Sequence, residues 1–336
     1  MTTHRLSPDM DHPVFTIGSH PALLTVASED VVHVETQDCF SGRLTSVDMH
    51  PRDVAPYPKV NPLTGPISIE GVVPGDVVGI HLADVQVDRD WGVATVSPRF
   101  GALASSASSP TLEEETAERV WIWKVADDGE NLVTTTGSGH ELVAPLRPFF
   151  GTIGVAPDHG EVRTSVHLGA FGGNIDSPLL SAGATIFLEA RRQGGEITIG
   201  DGHLAQGDGE FAGTAVEGQL RAELHFDVLR ADETTGPVVP RLVTADSIVT
   251  IGWGRPLDDA FRTALHAMVR WVAGTTGMDD LDAYQLVSQR CEARVANVVN
   301  PENSVSVRLD RDALGGATDV WTRSHDRLAL QNRRTS

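Results

Sequence analysis

A chain of 336 residues carries 26 Lys and Arg against 46 Asp and Glu, a net charge of -20. Such an acidic surface repels phosphate backbones and anionic lipid, which argues against nucleic-acid and membrane partners. At 40% hydrophobic and 21% charged residues the composition is that of a globular protein, with length for one large or two ordinary domains.

Two cysteines, Cys39 and Cys291, are too few for a disulfide framework. The segment MTTHRLSPDMDHPVF has no apolar signal-like core, and no run approaches 18 apolar residues. A cytoplasmic protein acting on a small molecule is expected.

Up to about residue 250, short runs rich in Val, Ile and Thr are broken by Gly, Pro, Asn and Asp. Examples are VVHVET (31–36), VVGIHLADVQV (77–87), GEITIG (195–200) and QLRAELHFDVL (219–229). Strand–helix–strand alternation is missing, so the fold class expected is mainly β, a sandwich or jelly-roll-like core over residues 1–250. The Ser-rich, then acidic stretch ALASSASSPTLEEETAE (102–118) interrupts the strands and reads as a long, mobile, lid-like surface loop.

Beyond residue 250 the period changes. In PLDDAFRTALHAMVRWVAG, residues Phe261, Ala264, Leu265, Met268, Val269 and Val272 recur at helical spacing. Asp258 and Asp259 favour the first turn of that helix and Gly274 suits its end. DDLDAYQLVSQRC predicts a second helix with Leu281, Leu286 and Val287 inward. Residues 251–315 are therefore expected to form a helical or α/β C-terminal portion, and 316–336 a polar tail on the surface.

Candidate chemistry comes from strand alternation. Extending GEITIG forward places Ile197, Ile199, Asp201 and His203 on one face, so an apolar stripe ends in a carboxylate and an imidazole. Running back from the next strand, Val216, Thr214, Ala212 and Glu210 share a face, with LAQGDG as the hairpin loop between. Val32, Val34, Thr36 and Asp38 repeat the pattern. Buried acids need partners, and the only lysines are Lys59 and Lys124. A divalent cation would satisfy several acids and one imidazole together.

Each residue also has an ordinary reading. Asp201 and Asp208 precede glycines, and Asp-Gly is a turn dipeptide; His203 could be a hydrogen-bonded structural residue, and Glu210 could pair with an arginine. Clustering of acid, imidazole and amide on one Gly-rich segment favours a site. Other chemistries have less support. Two lysines leave little choice for a Ser–Lys nucleophile, Cys39 reads as a small core residue, and GAFGGN is not followed by a helix that would cradle phosphate.

The stretches DCFSG (38–42), NPLTGPISIEGVVPGD (61–76), FFGTIGVAPD (149–158), GGNIDSPLL (172–180) and GDGHLAQGDGE (200–210) resemble the acetamidase/formamidase family over about residues 20–310. The resemblance implies hydrolysis of a short aliphatic amide, a β-sandwich core with a C-terminal α/β portion, a homo-oligomer and a metal site. Its matching polar positions are Asp38, Asp176, Asp201, His203, Gln206, Asp208 and Glu210; Asp176 is supplied by the resemblance alone. The chain departs from the family in lacking a Trp in the N-terminal MDHPVFTIGSHPALL, in Leu204 after His203, and in Phe171 before GGN. Those departures bear on substrate identity more than on reaction type.

The expected mechanism follows. A divalent metal (zinc, calcium or manganese) held by Asp38, Asp176, Asp201 and His203 would polarise the carbonyl and lower the pKa of water. Glu210, with Asp208, would move the proton, while Asn174 and Gln206 would bind the amide. The alternatives are the same hydrolysis on a larger amide, ester or cyclic imide, and a non-catalytic calcium-dependent β-sandwich module.

Overall fold

A computed structural model describes residues 1–18, 20–104, 116–234 and 239–335, with side chains described to residue 331. The chain is mostly β. A nine-stranded sheet runs in the order Thr3–Leu6, Val31–Thr36, Leu220–Leu229, Val77–Val87, Thr185–Glu189, Arg241–Val243, Ser247–Gly254, Asn303–Asp310, Glu292–Asn297. Facing it, a second sheet is centred on Ile197–Ala205, flanked by Phe149–Gly154, Val216–Glu217 and Leu63–Ile69.

One apolar core fills the space between the sheets. Val32, Val34, Ile80, Leu82 and Leu224 meet Phe150, Ile153, Ile197 and Ile199 there, as expected where alternating β-branched and aromatic side chains face inward. Strands 31–36 and 77–87 have the predicted bounds.

The C-terminal region is not a separate portion starting at residue 251. Strands Ser247–Gly254, Glu292–Asn297 and Asn303–Asp310 extend the first sheet, paired in antiparallel register. Helix Leu257–Thr276 covers the outer face of that extension, burying Ala260, Ala264, Met268, Trp271 and Val272. It lies close because Gly252 has no side chain: a Cβ there would sit 2.0 Å from the Ala260 carbonyl oxygen.

The helix ends at Gly277, whose φ of 77° is left-handed, and not at Gly274. Phe261 and Leu281, both expected inward, are 39% and 79% exposed. Helical spacing locates an apolar stripe only to within one neighbouring position, and Ala260 and Ala283 take the buried places instead.

The tail is likewise not a surface strap. Val320–Thr335 is a helix that buries Trp321, Ser324, His325 and Leu328 against the first sheet. Ser324 and Arg327 both bond Asp227. Most of the 102–118 stretch, residues 105–115, lies outside the described residues, and its expected lid behaviour with it. Among the described residues, no helix is long and apolar enough to cross a membrane.

Candidate active site

Three backbone features build the site. Strand Ile197–Ala205 runs straight through GDGHLA and is buried along its whole length, so the hairpin expected at 204–209 starts later. At Asp201 the backbone turns left-handed, with φ of 59°, which an aspartate tolerates better than most residues. Asp176 (φ 52°) and Glu210 (φ 49°) are also left-handed. Three candidate acids thus occupy a sparsely populated backbone region, a common state of functional sites.

The residues between Gln206 and Ala215 form an irregular loop, not a strand returning from Glu210. Pairing resumes only at Val216–Glu217, where Glu217 lies opposite His203. Glu210 therefore reaches the site from a loop, by its own turn and not by alternation.

His203, Asp201 and Asp176 are each 1–2% exposed. The imidazole Nε2 lies 3.5 Å from Glu217 Oε2, 3.6 Å from Asp201 Oδ2 and 4.0 Å from Asp176 Oδ1. Its other nitrogen, Nδ1, donates to Gln206 Oε1 at 2.8 Å. Phe149 packs edge-on against the ring, with centroids 4.9 Å apart.

Several carboxylate oxygens in this group have no donor. Among the described residues, Asp176 Oδ1, Asp201 Oδ1 and Glu217 Oε2 are sealed from solvent without a hydrogen bond. Their partner oxygens are satisfied: Asp176 Oδ2 accepts from Asn297 and Asn300, Asp201 Oδ2 from Asn61 at 2.8 Å, and Glu217 Oε1 from the Ala215 amide. Gly151 leaves the space that lets these acids converge. A Cβ there would lie 2.6 Å from both Asp176 Oδ1 and Asp201 Oδ2.

Burial and mutual repulsion shift the titrating groups. Burial, then the Asp201 charge, pushes Asp176 up to about 7. Burial pushes Glu217 up to about 8, against the nearby His203. Burial and then the Asp176 charge hold Glu210 well above the usual carboxylate range. Burial by itself would lower His203, but Glu217 and Asp201 carry it well above its ordinary value. All four shifts say that this cluster favours added positive charge.

The cluster opens on a cavity of about 500 Å³ lined by Cys39, Asn61, Asn174, Asp201, Glu210 and Glu217, with Phe40, Tyr57, Val60 and Phe100 among its apolar walls. Asn174 Oδ1 accepts from Thr152 Oγ1 at 2.5 Å and from Asn61 Nδ2 at 3.5 Å. Those bonds fix the amide, leaving Asn174 Nδ2 as a donor.

The surroundings of this cluster match known proteins. The profile of the Acetamidase/Formamidase family matches residues 18–167 and 160–313. The chain belongs to that family. An acetamidase crystal structure from Yersinia enterocolitica superposes with a TM-score of 0.83 at 32% identity, covering 93% of each chain. An acetamidase from Bacillus halodurans superposes equally well, at 30% identity over 93% of this chain and 99% of its own. A provisionally named formamidase of Schizosaccharomyces pombe is 23% identical over 253 residues. That match spans 61% of the length of this curated relative.

Within this family fold, Asp176, Asp201, His203, Asn174 and Glu210 converge from three segments: GGNID, the strand Ile197–Ala205 and the loop after it. Three expected residues take other places. Asp38 sits outside the acid groups that could share an ion. Its Oδ2 accepts from Arg89 Nη2 at 2.7 Å, and its Oδ1 takes the Phe40 and Gly42 amides. The stripe correctly buries Asp38, but an arginine supplies the partner. Asp208 is exposed at the turn. Gln206 does not face the cavity; it donates to the Asp176 and Ala296 carbonyls and accepts from His203.

Sequence reasoning missed Glu217, Asn61, Cys39, Asn297 and Asn300. Glu217 follows the apolar Ala215-Val216 and faces His203, which the buried acid in AVEG hints at. Asn61 turns left-handed (φ 53°) immediately before Pro62. Asn297 and Asn300 lie nearly 100 residues downstream of Glu210, and only the tertiary fold brings them to Asp176. Cys39 lines the cavity, but burial and then the Glu217 charge raise its thiol well above the usual range, which disfavours a thiolate nucleophile.

Proposed function

We propose that this chamber hydrolyses the C–N bond of a short linear amide, with a divalent cation held by Asp176, Asp201 and His203 and with Glu217 adjacent. The observation carrying this reading is the group of buried acids around His203 Nε2, in which Asp176 Oδ1 and Glu217 Oε2 face the imidazole without a donor and Asp201 Oδ1 also lacks one. Buried carboxylates are costly without compensation. Gly151 leaves the space that such a group would fill. One imidazole with several hard oxygens suits zinc or manganese, and calcium less well.

When bound, such a cation supplies Lewis-acid polarisation of the carbonyl and a water made acidic enough to attack near neutral pH. The chain's own groups do the rest. Gln206 holds a proton on His203 Nδ1, so Nε2 is the nitrogen left to meet a cation among the acids. Asn174 Nδ2 donates to the amide carbonyl, held by Asn61 and Thr152. Glu210, buried at the cavity wall and kept protonatable, takes a proton from the attacking water and returns it to the leaving nitrogen. Glu217 lies on the imidazole side and is the other carboxylate able to hold that proton.

The cavity volume of about 500 Å³ also supports a second reading, in which the acyl side carries a larger apolar group against Phe40, Tyr57 and Phe100. Ammonia release from formamide, acetamide, butyramide and benzamide, with metal content measured on the same sample, tests both. Turnover of the small amides with about one equivalent of metal is expected. Release confined to benzamide selects the second reading, and release from none of them rejects amide hydrolysis.

A further inference from the structure

A second cavity, of about 910 Å³, opens between the two long C-terminal helices and shares no lining residue with the chamber. Its wall includes Arg241, which begins strand Arg241–Val243 and is only 5% exposed. The guanidinium carbon lies 4.8 Å from the Trp271 ring centre and 4.6 Å from that of Trp321. The two indoles meet at 68°, so the cation sits in an aromatic corner.

Arg241 has no anionic partner there. Among the described residues its side chain makes no hydrogen bond, and its Nε is sealed without an acceptor. Asp319, the acid it feels most, is already committed. One oxygen accepts from Trp271 Nε1 and Thr275 Oγ1, and the other from the Thr322 amide. A buried guanidinium without an anion is costly, yet two tryptophans hold its planar fork in place. Arg262, Arg270 and Arg323 also border the cavity, against the acidic trend of the whole chain. Arg262 and Arg270 are paired with Asp259 and Asp280, so their charges are compensated, and Glu233 and Asp319 also line the cavity.

We propose that this cavity binds a small carboxylate carrying an apolar body, its two oxygens taken by the Arg241 fork, which Trp271 and Trp321 hold in place, and its body by Val239, Met278 and Val320 along the cavity wall. A guanidinium matches a carboxylate bidentately, which an ammonium cannot do. Val239, Met278 and Val320 supply the apolar surface.

The test titrates 4-fluorobenzoate into the full-length protein by calorimetry and fluorine NMR. Wild type, Arg241→Lys, Arg241→Gln and the chamber variant Asn174→Ala are compared. One binding component should weaken at least ~10-fold in both Arg241 variants, the least expected on losing a charge-assisted bidentate contact. That component should persist in Asn174→Ala, and uncharged 4-fluorobenzyl alcohol should not compete for it. Without the probe, Arg241→Gln should melt no lower than wild type, since it removes an unpaired buried charge. Arg241→Lys keeps the charge and provides the reading if the glutamine variant folds poorly.

Unchanged binding in both Arg241 variants overturns the proposal, as does loss of the component in Asn174→Ala. Dissociation of an oligomer in the Arg241 variants, with the binding component intact, overturns it too and assigns the fork to a second copy of the chain.

Discussion

Gln206 fixes the tautomer of His203. Its Nε2 donates to the Asp176 and Ala296 carbonyls at 2.7 and 3.0 Å, so its Oε1 must be the atom facing the imidazole, 2.8 Å from Nδ1. Nδ1 therefore carries a proton in either charge state of the ring, and Nε2 turns toward three carboxylates. Such a second partner of a ligating histidine usually governs ligand orientation and basicity.

Gln206→Leu should accordingly lower zinc affinity by about 10–100-fold, the usual cost of losing such a support. Competition with a chromogenic chelator measures this on the purified protein. An unchanged zinc affinity in a folded variant would detach Gln206 from the site.

Gly151→Ala probes the space at the centre. The added methyl would stand 2.6 Å from Asp176 Oδ1 and Asp201 Oδ2 and 3.0 Å from the His203 ring, so these side chains must move apart. Displacements of about 1 Å at a reacting centre cost on the order of 10²-fold in rate. Turnover and bound metal should fall together, and Gly151→Ala retaining both would show that the acids do not act as one unit.

Charge repulsion gives a test that needs no substrate. With metal chelated, Asp176, Asp201, Glu210 and Glu217 crowd one buried volume, and the raised pKa values of Asp176, Glu210 and Glu217 reflect it. Asp201→Asn keeps a residue that tolerates the left-handed φ of 59° and removes one charge. In chelator this variant should melt a few degrees above wild type, because relieving a buried unpaired charge is worth about 1–3 kcal/mol. With zinc present the order should reverse. The same order in both conditions would remove Asp201 from the ligand set.

Much of this arrangement could be read from the chain, and the remainder shows where local pattern stops. Alternation buried Asp38, Asp201 and His203 correctly, although strand Val31–Thr36 ends before Asp38 and strand Ile197–Ala205 is buried at every position, with a left-handed residue at Asp201. It could not say what each meets. Asp38 pairs with Arg89, 51 residues away, and Glu217 finds His203 only through cross-strand register. Glu210 reaches the site from an irregular loop, so its predicted strand was wrong although its burial was right. The polar composition of 316–336 concealed a helix whose buried side is mainly Trp321, Ser324, His325 and Leu328.

That helix carries a pH prediction. His325 Nδ1 and His81 Nδ1 both bond Thr185 Oγ1 in the buried seam beneath it. Burial, then the neighbouring His325 and His225, lowers His81 from 6.5 to about 3. Burial lowers His325 to about 4, against Asp326. Both are thus neutral in the fold but protonate near 6.5 once unfolded. Their stabilisation is complete above pH 6.5 and is lost as pH falls toward 4 and then 3. Each histidine costs up to about 1.4 kcal/mol per pH unit across its window. His325→Gln should flatten the fall in melting temperature between pH 6.5 and 4, whereas an identical slope would show that the seam does not exclude protons.

The remaining question is which carboxylate moves the proton. Glu210 lies on the cavity wall, 3.3 Å from Asn297 Nδ2 through one oxygen. Glu217 lies beside the imidazole with one oxygen held by the Ala215 amide. If Glu210 is the shuttle, Glu210→Gln keeps size and hydrogen bonding but cannot take the proton. Turnover should fall by about 10²–10⁴-fold, the usual worth of general acid–base catalysis, with KM and bound metal nearly unchanged. Glu217→Gln should behave differently, because Glu217 Oε2 is one of the donor-less oxygens facing His203. Its loss should weaken metal binding first and reduce turnover in proportion. Both variants are checked by ammonia release and metal content on one preparation, with near-UV circular dichroism as the folding control. A Glu210→Gln protein with full turnover and full metal would exclude Glu210 as the shuttle. If Glu217→Gln then lost turnover with its metal intact, the proton path would run along the imidazole side of the chamber.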